Sequence, residues 1–472
     1  LIPKKDLNYN VFCNISTNLS SYSIKLFMKK FALFSLSLCS VFLFSQKKWS
    51  LQECVNYAVQ NNLQVIQGSF NNKIQDNTLQ IAKRQYLPGV SATANVGGNF
   101  GQGRDTFGAT NRNDNFSSGA NVGADILLYN NGRLEKNIRK SQYDVEAGSF
   151  DLQKIKDDIS LQIAQQYLSI LLNREITKIS ESALTNAEDL YKRAKITTDV
   201  GTTPKTILAE AEAALAREKQ NVKTAQINTE RSLFTLAMLL QLPNYKDFDI
   251  QFVNVENKLD APLFSAENII NKAYENQPQL KAAESRIKSS EAQTEITETA
   301  FWPTISANAG IGTSYFYRLK AVDFAGNTIQ QRNFFNQFGD NFGQQVGVSA
   351  NIPIFNKGIT RLQVQQSKIN EDLAKNALEQ SKQDVLQNVQ KAQFDAESNY
   401  EAYLAATEAE KSSKLAVDFA EKSFEAGRTT IYDLNTARNN FANAQGSVAQ
   451  AKYNYLFSMK LLNFYAGIPL SL

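Results

Sequence analysis

Catalysis needs side chains that move protons, electrons or metal ions, and this chain lacks the most versatile of them. Its 472 residues contain no His and three Cys: Cys13, Cys39 and Cys54. Without imidazole there is no Ser-His-Asp triad, no His general base and no His-ligated metal. Cys54, in Leu51-Gln-Glu-Cys-Val-Asn-Tyr-Ala, reads as a small buried apolar residue on a helix. As a reactive thiol it would have no His to assist it. The Gly97-Gly98 and Gly101-x-Gly103 cluster misses the dinucleotide-binding spacing and lacks a following helix, so it is not a phosphate loop. Asp and Glu are plentiful, but they fall among Lys, Gln and Asn on solvated helical faces. These residues point to no enzyme, no cofactor and no metal.

Charge sharpens the exclusion. The whole chain carries 50 Lys+Arg against 46 Asp+Glu, a mildly basic balance. Residues 1–45 account for it, with Lys4, Lys5, Lys25, Lys29 and Lys30 against Asp6. Without them the balance is 45 to 45 (50 less five, 46 less one), which removes the electrostatic support for nucleic-acid binding. The first methionine, Met28, opens two lysines and an apolar run to Ser45, the pattern of a secretory signal peptide over 28–45. Residues 1–27 are read as upstream sequence. The alternatives are an anchored N-terminus and a lipoprotein; Leu36-Ser-Leu-Cys39 resembles a lipobox but puts Leu38 where a small residue is normal. Removing residues 1–45 takes away Cys13 and Cys39, so Cys54 has no intramolecular disulfide partner.

The elements that must position any site come from a duplication. Tyr86-Leu-Pro88 matches Phe301-Trp-Pro303 at an offset of 215 (303 minus 88), and Tyr129-Asn-Asn-Gly132 matches Phe355-Asn-Lys-Gly358 at 226 (358 minus 132). Gly201 with Gly427 and Pro243 with Pro469 keep the second offset. The chain therefore reads as repeat 1 over 46–262 and repeat 2 over 263–472, with eleven extra residues between Tyr315 and Phe342.

Each repeat reads helix, strand, strand, helix, helix. The first helix is expected from Leu51 to Gln85, ending before Pro88. Period-2 alternation predicts strands at about 90–100 and 118–129, then 304–317 and 344–355. Val90, Ala92, Ala94 and Val96 fall on one face and Ser91, Thr93, Asn95 and Gly97 on the other. The next strand repeats it with Ala120, Val122, Ala124, Ile126 and Leu128, and repeat 2 with Ile305, Ala307, Ala309 and Ile311. Runs of ~9–11 alternating residues suit tilted strands crossing an outer membrane. One such strand would equally suit a soluble sandwich; four in two hairpins behind an export signal favour a membrane barrel. The connections 101–115 and 318–341 read as exposed loops.

Long helices are predicted over 133–198 and 359–425, each spanning ~95–100 Å, and returning helices over 204–241 and 430–466. Leu378, Val385, Val389, Ala392, Ala396 and Tyr403 mark a coiled-coil seam. Each long helix stops at a glycine, in Val200-Gly201-Thr202-Thr-Pro204 and Ala426-Gly427-Arg428-Thr-Thr430, and Pro204 is expected as the first helical residue behind a Thr203 cap.

Four strands cannot close a barrel, and open edges are not tolerated in lipid, so association is forced. On these features the chain resembles the TolC-like outer-membrane factor family over nearly all of residues 49–470. The resemblance rests on the duplication, the proline before each first strand and the two glycine turns. The segment Phe424-Glu-Ala-Gly427-Arg428-Thr-Thr-Ile431-Tyr-Asp433 is similar in spacing and type to the family's tip segment. The resemblance implies an α+β membrane protein. Three chains would supply four strands each to one twelve-stranded barrel, continuous with a helical periplasmic tunnel. It implies a passive exit duct for an efflux pump or secretion system, docking an adaptor protein and an inner-membrane pump at the tip. Gly201, Thr202, Gly427 and Arg428 would be the adaptor-docking tips. Asp433 falls on one of the family's acidic pore positions, Thr436 replaces the second, and Phe424 lacks the hydroxyl the family's tip aromatic carries; without the resemblance, Asp433 reads as a solvated helix residue. The competing reading is a periplasmic coiled-coil scaffold or adhesin, which leaves the four alternating strands without purpose.

Overall fold

Prolines and asparagines divide the helical stretches before any packing is considered. The computed structural model describes residues 48–104, 110–253, 259–262, 266–320 and 328–468. The leader 28–45, residues 1–27, Cys13, Cys39 and Pro469 lie outside the described residues. The helix expected from Leu51 to Gln85 is two helices, α1 (Leu51–Asn61) and α2 (Leu63–Arg84). A Ser50–Glu53 capping box starts α1. Between the two, buried Asn62 leaves helical geometry at ψ 130°, and its side chain accepts from the Gln64 N–H at 2.8 Å. Its Nδ2 donates to the Leu239 carbonyl at 3.3 Å, a contact 177 residues away that local sequence does not signal.

Beyond Pro88 the chain enters the sheet as β2 (Gly89–Asn99), extends into the short pair β3 (Gln102–Arg104) and β4 (Thr110–Arg112), and returns as β5 (Asn115–Tyr129). Repeat 2 supplies β7 (Thr304–Arg318) and β8 (Gly343–Asn351), so the last strand stops short of the expected 355. The four long strands form one antiparallel sheet in the order β2-β5-β7-β8. Register carries each sequence pattern across it. Val90, Ala124, Ala309 and Val346 form one apolar row, and Ser91, Gly123, Gly310 and Gln345 a polar row on the other face. Val90 and Val346 are 70% and 87% exposed, so nothing among the described residues covers the apolar face there. One expected position differs. A bulge leaves Leu128 without a partner and sets Tyr129 opposite Ile305, so Tyr129 takes the place on the apolar face that alternation assigns to Leu128.

Tight turns at Asn130–Arg133 and Asn356–Ile359 pass the chain from sheet to helix. Asn131 and Gly132, and Lys357 and Gly358, all have positive φ (54°, 72°, 57° and 77°), the two-residue left-handed turn that Asn-Gly favours. The long helices follow: α3 (Arg133–Asp199) and α8 (Ile359–Glu425), 67 residues each. Their returning partners are α4 (Lys205–Leu239) and α9 (Ile431–Tyr465). Pro204 is the cap residue of α4, one position earlier than expected, because its ψ of 147° is still extended. In repeat 2, α5 (Ala266–Asn276) and α6 (Pro278–Glu298) stand where α1 and α2 stand in repeat 1.

Packing orders these helices into one layer. Near the sheet, α3 lies between α2 and α6, and α6 lies against α8; toward the tips, α3 lies between α4 and α9, and α9 lies against α8. Three apolar clusters hold the layer. The largest joins Cys54, Ala58, Ile163, Tyr167, Leu236 and Ile250. A parallel pair, β1 (Lys48–Trp49) with β6 (Asp249–Ile250), wraps it. There the Tyr167 hydroxyl donates to the Gln251 carbonyl at 2.7 Å, and Arg174 pairs with Asp249. The second cluster contains the expected seam, with Val385, Val389, Ala392 and Ala396 buried against Leu462 and Ile269.

Ile163 is fully buried in the largest cluster. Ile163→Ala is expected to cost about 2–5 kcal/mol, whereas Ile196→Ala, at a 64% exposed site, should stay within about 0.5 kcal/mol. Guanidinium unfolding followed by helical circular dichroism distinguishes the two.

Candidate functional site

Both helical turnarounds lie at the end of the molecule opposite the sheet. Each closes by the same backbone device. Gly201 N–H donates to the Thr198 carbonyl and Thr202 N–H to Thr197, both at 3.0 Å; Gly427 N–H donates to Phe424 at 2.9 Å and Arg428 N–H to Ser423 at 2.8 Å. These paired bonds satisfy carbonyls that a helix end otherwise leaves open. They need a left-handed residue, and the glycines sit at φ 79° and 71°, where a Cβ would cost about 1–2 kcal/mol. The Thr202 hydroxyl adds a bond to the Thr197 carbonyl at 2.9 Å. Gly201, Thr202, Gly427 and Arg428 are all exposed. Of these four, the backbone groups build the turns and the Arg428 side chain projects from one.

A small apolar cluster binds the two turnarounds together: Leu190, Ala194 and Ala211 from α3 and α4 meet Ile431 and Leu434 from α9, with Phe424 packed partly buried against them. Phe424 thus acts through packing. Asp433 is exposed in the first turn of α9 and serves as a helix cap. Its carboxylate accepts from the Thr430 hydroxyl at 2.7 Å and from the Thr430 N–H at 3.1 Å, while its own N–H donates to the Thr430 hydroxyl at 3.2 Å. The Thr430 hydroxyl, then the Thr430 N–H, hold the Asp433 carboxyl below its ordinary range. Thr436, one turn on and exposed, turns its hydroxyl back to the Tyr432 carbonyl.

Two tip residues escape the sequence reading. Thr430 was legible, because Thr-x-x-Asp is a capping pattern. Arg438 was not. Its guanidinium meets Glu421 of α8 at 2.7 and 3.2 Å and the Asn186 carbonyl of α3 at 3.3 Å, and so ties three helices together. Arg438 and Glu421 border a groove of 390 Å³ between the two helix pairs, with Asn186, Glu210, Arg217 and Asp418. The groove carries both signs of charge.

The sheet's polar face forms the other candidate surface. Amide or carboxylate side chains lie across glycines of neighbouring strands: Asn95 over Gly119, Asn121 over Gly312, Asn308 over Gly347, Gln345 over Gly310 and Asp125 over Gly89. A Cβ added at those glycines would meet the overlying side chain at 2.9–3.3 Å. The result is a low, hydrogen-bonding surface with Asp125 as the one charge in β2, β5 and β8.

Ionisable groups in the core are structural. Burial pushes the Cys54 thiol up to about 12 and the Tyr167 phenol up to about 12, so neither ionises near neutrality. Among the described residues no group of carboxylates and thiols is placed to hold a metal ion, and no helix is long and apolar enough to cross a membrane.

Residues 55–240 and 269–467 match a family described as outer membrane efflux protein. The chain is 24% identical to the outer membrane efflux protein BepC of Brucella suis over 421 residues, covering 86% of this chain and 83% of that protein. It is 25% identical to the outer membrane protein TolC of Escherichia coli, covering 71% and 72%. The structure of CusC superposes with a TM-score of 0.72 at 16% identity, covering 91% of this chain and 96% of that one. The CmeC outer membrane channel of Campylobacter jejuni superposes at 0.71 and 20% identity, covering 88% and 85%.

Because the folded pKa of Asp433 is depressed, the cap's contribution is present above the ordinary carboxylate range and is lost as pH falls through the lower folded value. Thr430→Ala removes the larger cause of the depression, the hydroxyl, and leaves the backbone N–H bond in place. The first turn of α9 is therefore expected to lose protection at a higher pH than in the parent, read by hydrogen exchange of the peptide around 428–436 over the acid range. An unchanged midpoint would show that Thr430 does not set the Asp433 pKa.

Proposed function

The chain belongs to the outer membrane efflux protein family, and from that premise we propose that it acts as a homotrimer, a passive duct without catalysis of its own. It is an exit duct of the outer membrane, with a large periplasmic helical part.

One observation carries the trimer: the chain has two open flanks, and both layers are open on the same two sides. In the sheet, β2 and β8 are edges. In the helical layer, α2 and α4 form one flank and α8 the other. Each flank presents exposed apolar residues at heptad spacing. On α8 these are Leu362, Ile369, Leu373, Phe394 and Leu415; on the opposite flank they are Leu63, Phe70, Ile74 and Ile81 of α2 and Ile227 and Phe234 of α4. Levels agree as well: Phe234 lies about 44 Å from the start of α4 and Phe394 about 47 Å from the end of α8, at 1.5 Å per residue. Three copies, the number the family resemblance implies, give twelve strands and a closed ring. The polar face then lines the lumen and the apolar face meets lipid. A pore-less periplasmic scaffold leaves that apolar face uncovered.

At the tips, Gly201, Thr202, Gly427 and Arg428 are the adaptor-docking residues, and an inner-membrane pump loads the duct beyond them. Asp433 from three copies forms a single acidic ring, since Thr436 carries no charge. Converging carboxylates attract cations. Among relatives, OpmQ of Pseudomonas putida is named for pyoverdine export and a protein of Aggregatibacter actinomycetemcomitans for toxin and drug export. A passive duct takes its cargo from its pump.

Two measurements test this reading. The Phe234→Cys/Phe394→Cys double variant should oxidise to a covalent trimer on denaturing gels, with each single variant remaining monomeric; failure of the double variant to cross-link would contradict the pairing of flanks. In planar bilayers the parent should conduct with cation preference, and Asp433→Ala should reduce that preference severalfold. Unchanged selectivity would remove Asp433 from the pore.

A further inference from the structure

The segment inserted in repeat 2 is not a plain loop. It contains a helix, α7 (Phe334–Asp340), started by the Asn333 side chain, which accepts from the Asn336 N–H at 2.9 Å. Its position answers a defect in the sheet. β7 pairs with β8 only over Thr304–Gly312, whereas β5 follows β7 up to Arg318. Among the described residues, the upper part of β7 therefore has backbone groups on its β8 side with no strand to meet them.

Side chains of the inserted segment meet them instead, at alternate residues. Asn341 Nδ2 donates to the Ser314 carbonyl at 2.7 Å, the Phe316 N–H donates to Gln337 Oε1 at 3.1 Å, and Gln331 both accepts from the Arg318 N–H at 2.7 Å and donates to its carbonyl at 2.6 Å. The Thr313 hydroxyl reaches the Phe338 carbonyl at 2.5 Å. A seven-residue helix is too short to persist unaided; these bonds hold it on the rim.

Held there, α7 joins an aromatic cluster on one face. Phe334 lies 5.0 Å from Tyr315 and 5.0 Å from Phe338, ring centre to ring centre, and Tyr315 stacks with Tyr317 at 6.4 Å. Tyr315 and Tyr317 stand on the same face of β7 as Ala309 and Ile311, the apolar face. The cluster thus continues that face past the top of β8. Beyond it Phe335 is 83% exposed, with only the Phe334 ring against it among the aromatic contacts.

We propose that α7 is an interfacial anchor, lying in the headgroup layer of the outer leaflet and inserting Phe335 into the boundary between headgroups and acyl chains. Aromatic side chains are favoured at that level, and an aromatic cluster contiguous with the sheet's apolar face marks an interaction surface. Continuity with the lipid-facing side of the sheet selects lipid as its occupant over a protein partner. Among the described residues the first hairpin has no counterpart, and β3 and β4 occupy its upper end. A trimer would therefore carry three such anchors. The proposal rests on the outer-membrane duct described above.

The test is depth-dependent fluorescence quenching of the full-length protein in phosphatidylcholine vesicles carrying bromines near the headgroup or near the chain end. Phe335→Trp is made with Trp302→Phe; Trp49 lies in the collar around Tyr167, far from the bilayer. Val346→Trp in the same background serves as a probe of the mid-sheet apolar face. The Phe335→Trp indole should be blue-shifted and quenched at least twofold more by shallow than by deep bromines, and the Val346→Trp indole the reverse. Strong acrylamide quenching of Phe335→Trp with no response to bromolipid, while Val346→Trp responds, would overturn the anchor and leave the barrel standing. No bromolipid quenching of either would overturn the membrane placement and the anchor with it.

Discussion

The structure depends on unpaired backbone at its edges. A strand edge in hydrocarbon leaves N–H and C=O groups with neither water nor partner, at several kcal/mol each. Four strands have two such edges, and no arrangement of this single chain joins β2 to β8. The same incompleteness recurs in the helices, where the α2/α4 and α8 flanks expose apolar seams that a single copy cannot bury. One closure satisfies both layers, because each layer opens on the same two sides of the chain. Where β8 ends early, the insertion does locally what association does globally, with Gln331, Gln337 and Asn341 standing in for a strand.

Closure also explains the division of labour along the molecule. The sheet needs little interior packing: its two faces meet lipid and lumen, so strength lies in ladder bonds and in glycines overlaid by amides. The helical layer carries the true core, concentrated around Tyr167, Ile163 and Leu236 and belted by the short β1–β6 pair. At the tips packing is thinner, a cluster centred on Leu190, Ile431 and Leu434 with the Arg438–Glu421 pair beside it. Elements with few buried contacts are those free to rearrange, which fits the docking proposed for that end.

Much of this was legible in the sequence, and the misses share a physical cause. Period-2 alternation marks the four long strands, because lumen and lipid impose opposite demands on alternate residues. The seam from Val385 to Ala396 was legible because buried positions repeat every turn or two. The break at Asn62 was hidden, since its amide is held by the Leu239 carbonyl from the far end of the repeat. The bulge at Leu128 depends on register with β7, and α7 is too short to announce itself and is held by side-chain bonds to a strand. Asp433 shows the opposite case. The family resemblance singles out its charge, whereas the Thr430–Asp433 cap is readable from the Thr-x-x-Asp spacing alone. The two roles are compatible, since a capped carboxylate remains exposed and ionised.

The central claim is that this chain is complete only as a closed assembly of three. Native mass spectrometry of the detergent-extracted protein tests it most directly. The account predicts a dominant species at three times the mass of the processed chain, with monomer appearing only together with loss of helical structure. A folded monomer, retaining full helical signal at the mass of one chain, would contradict it.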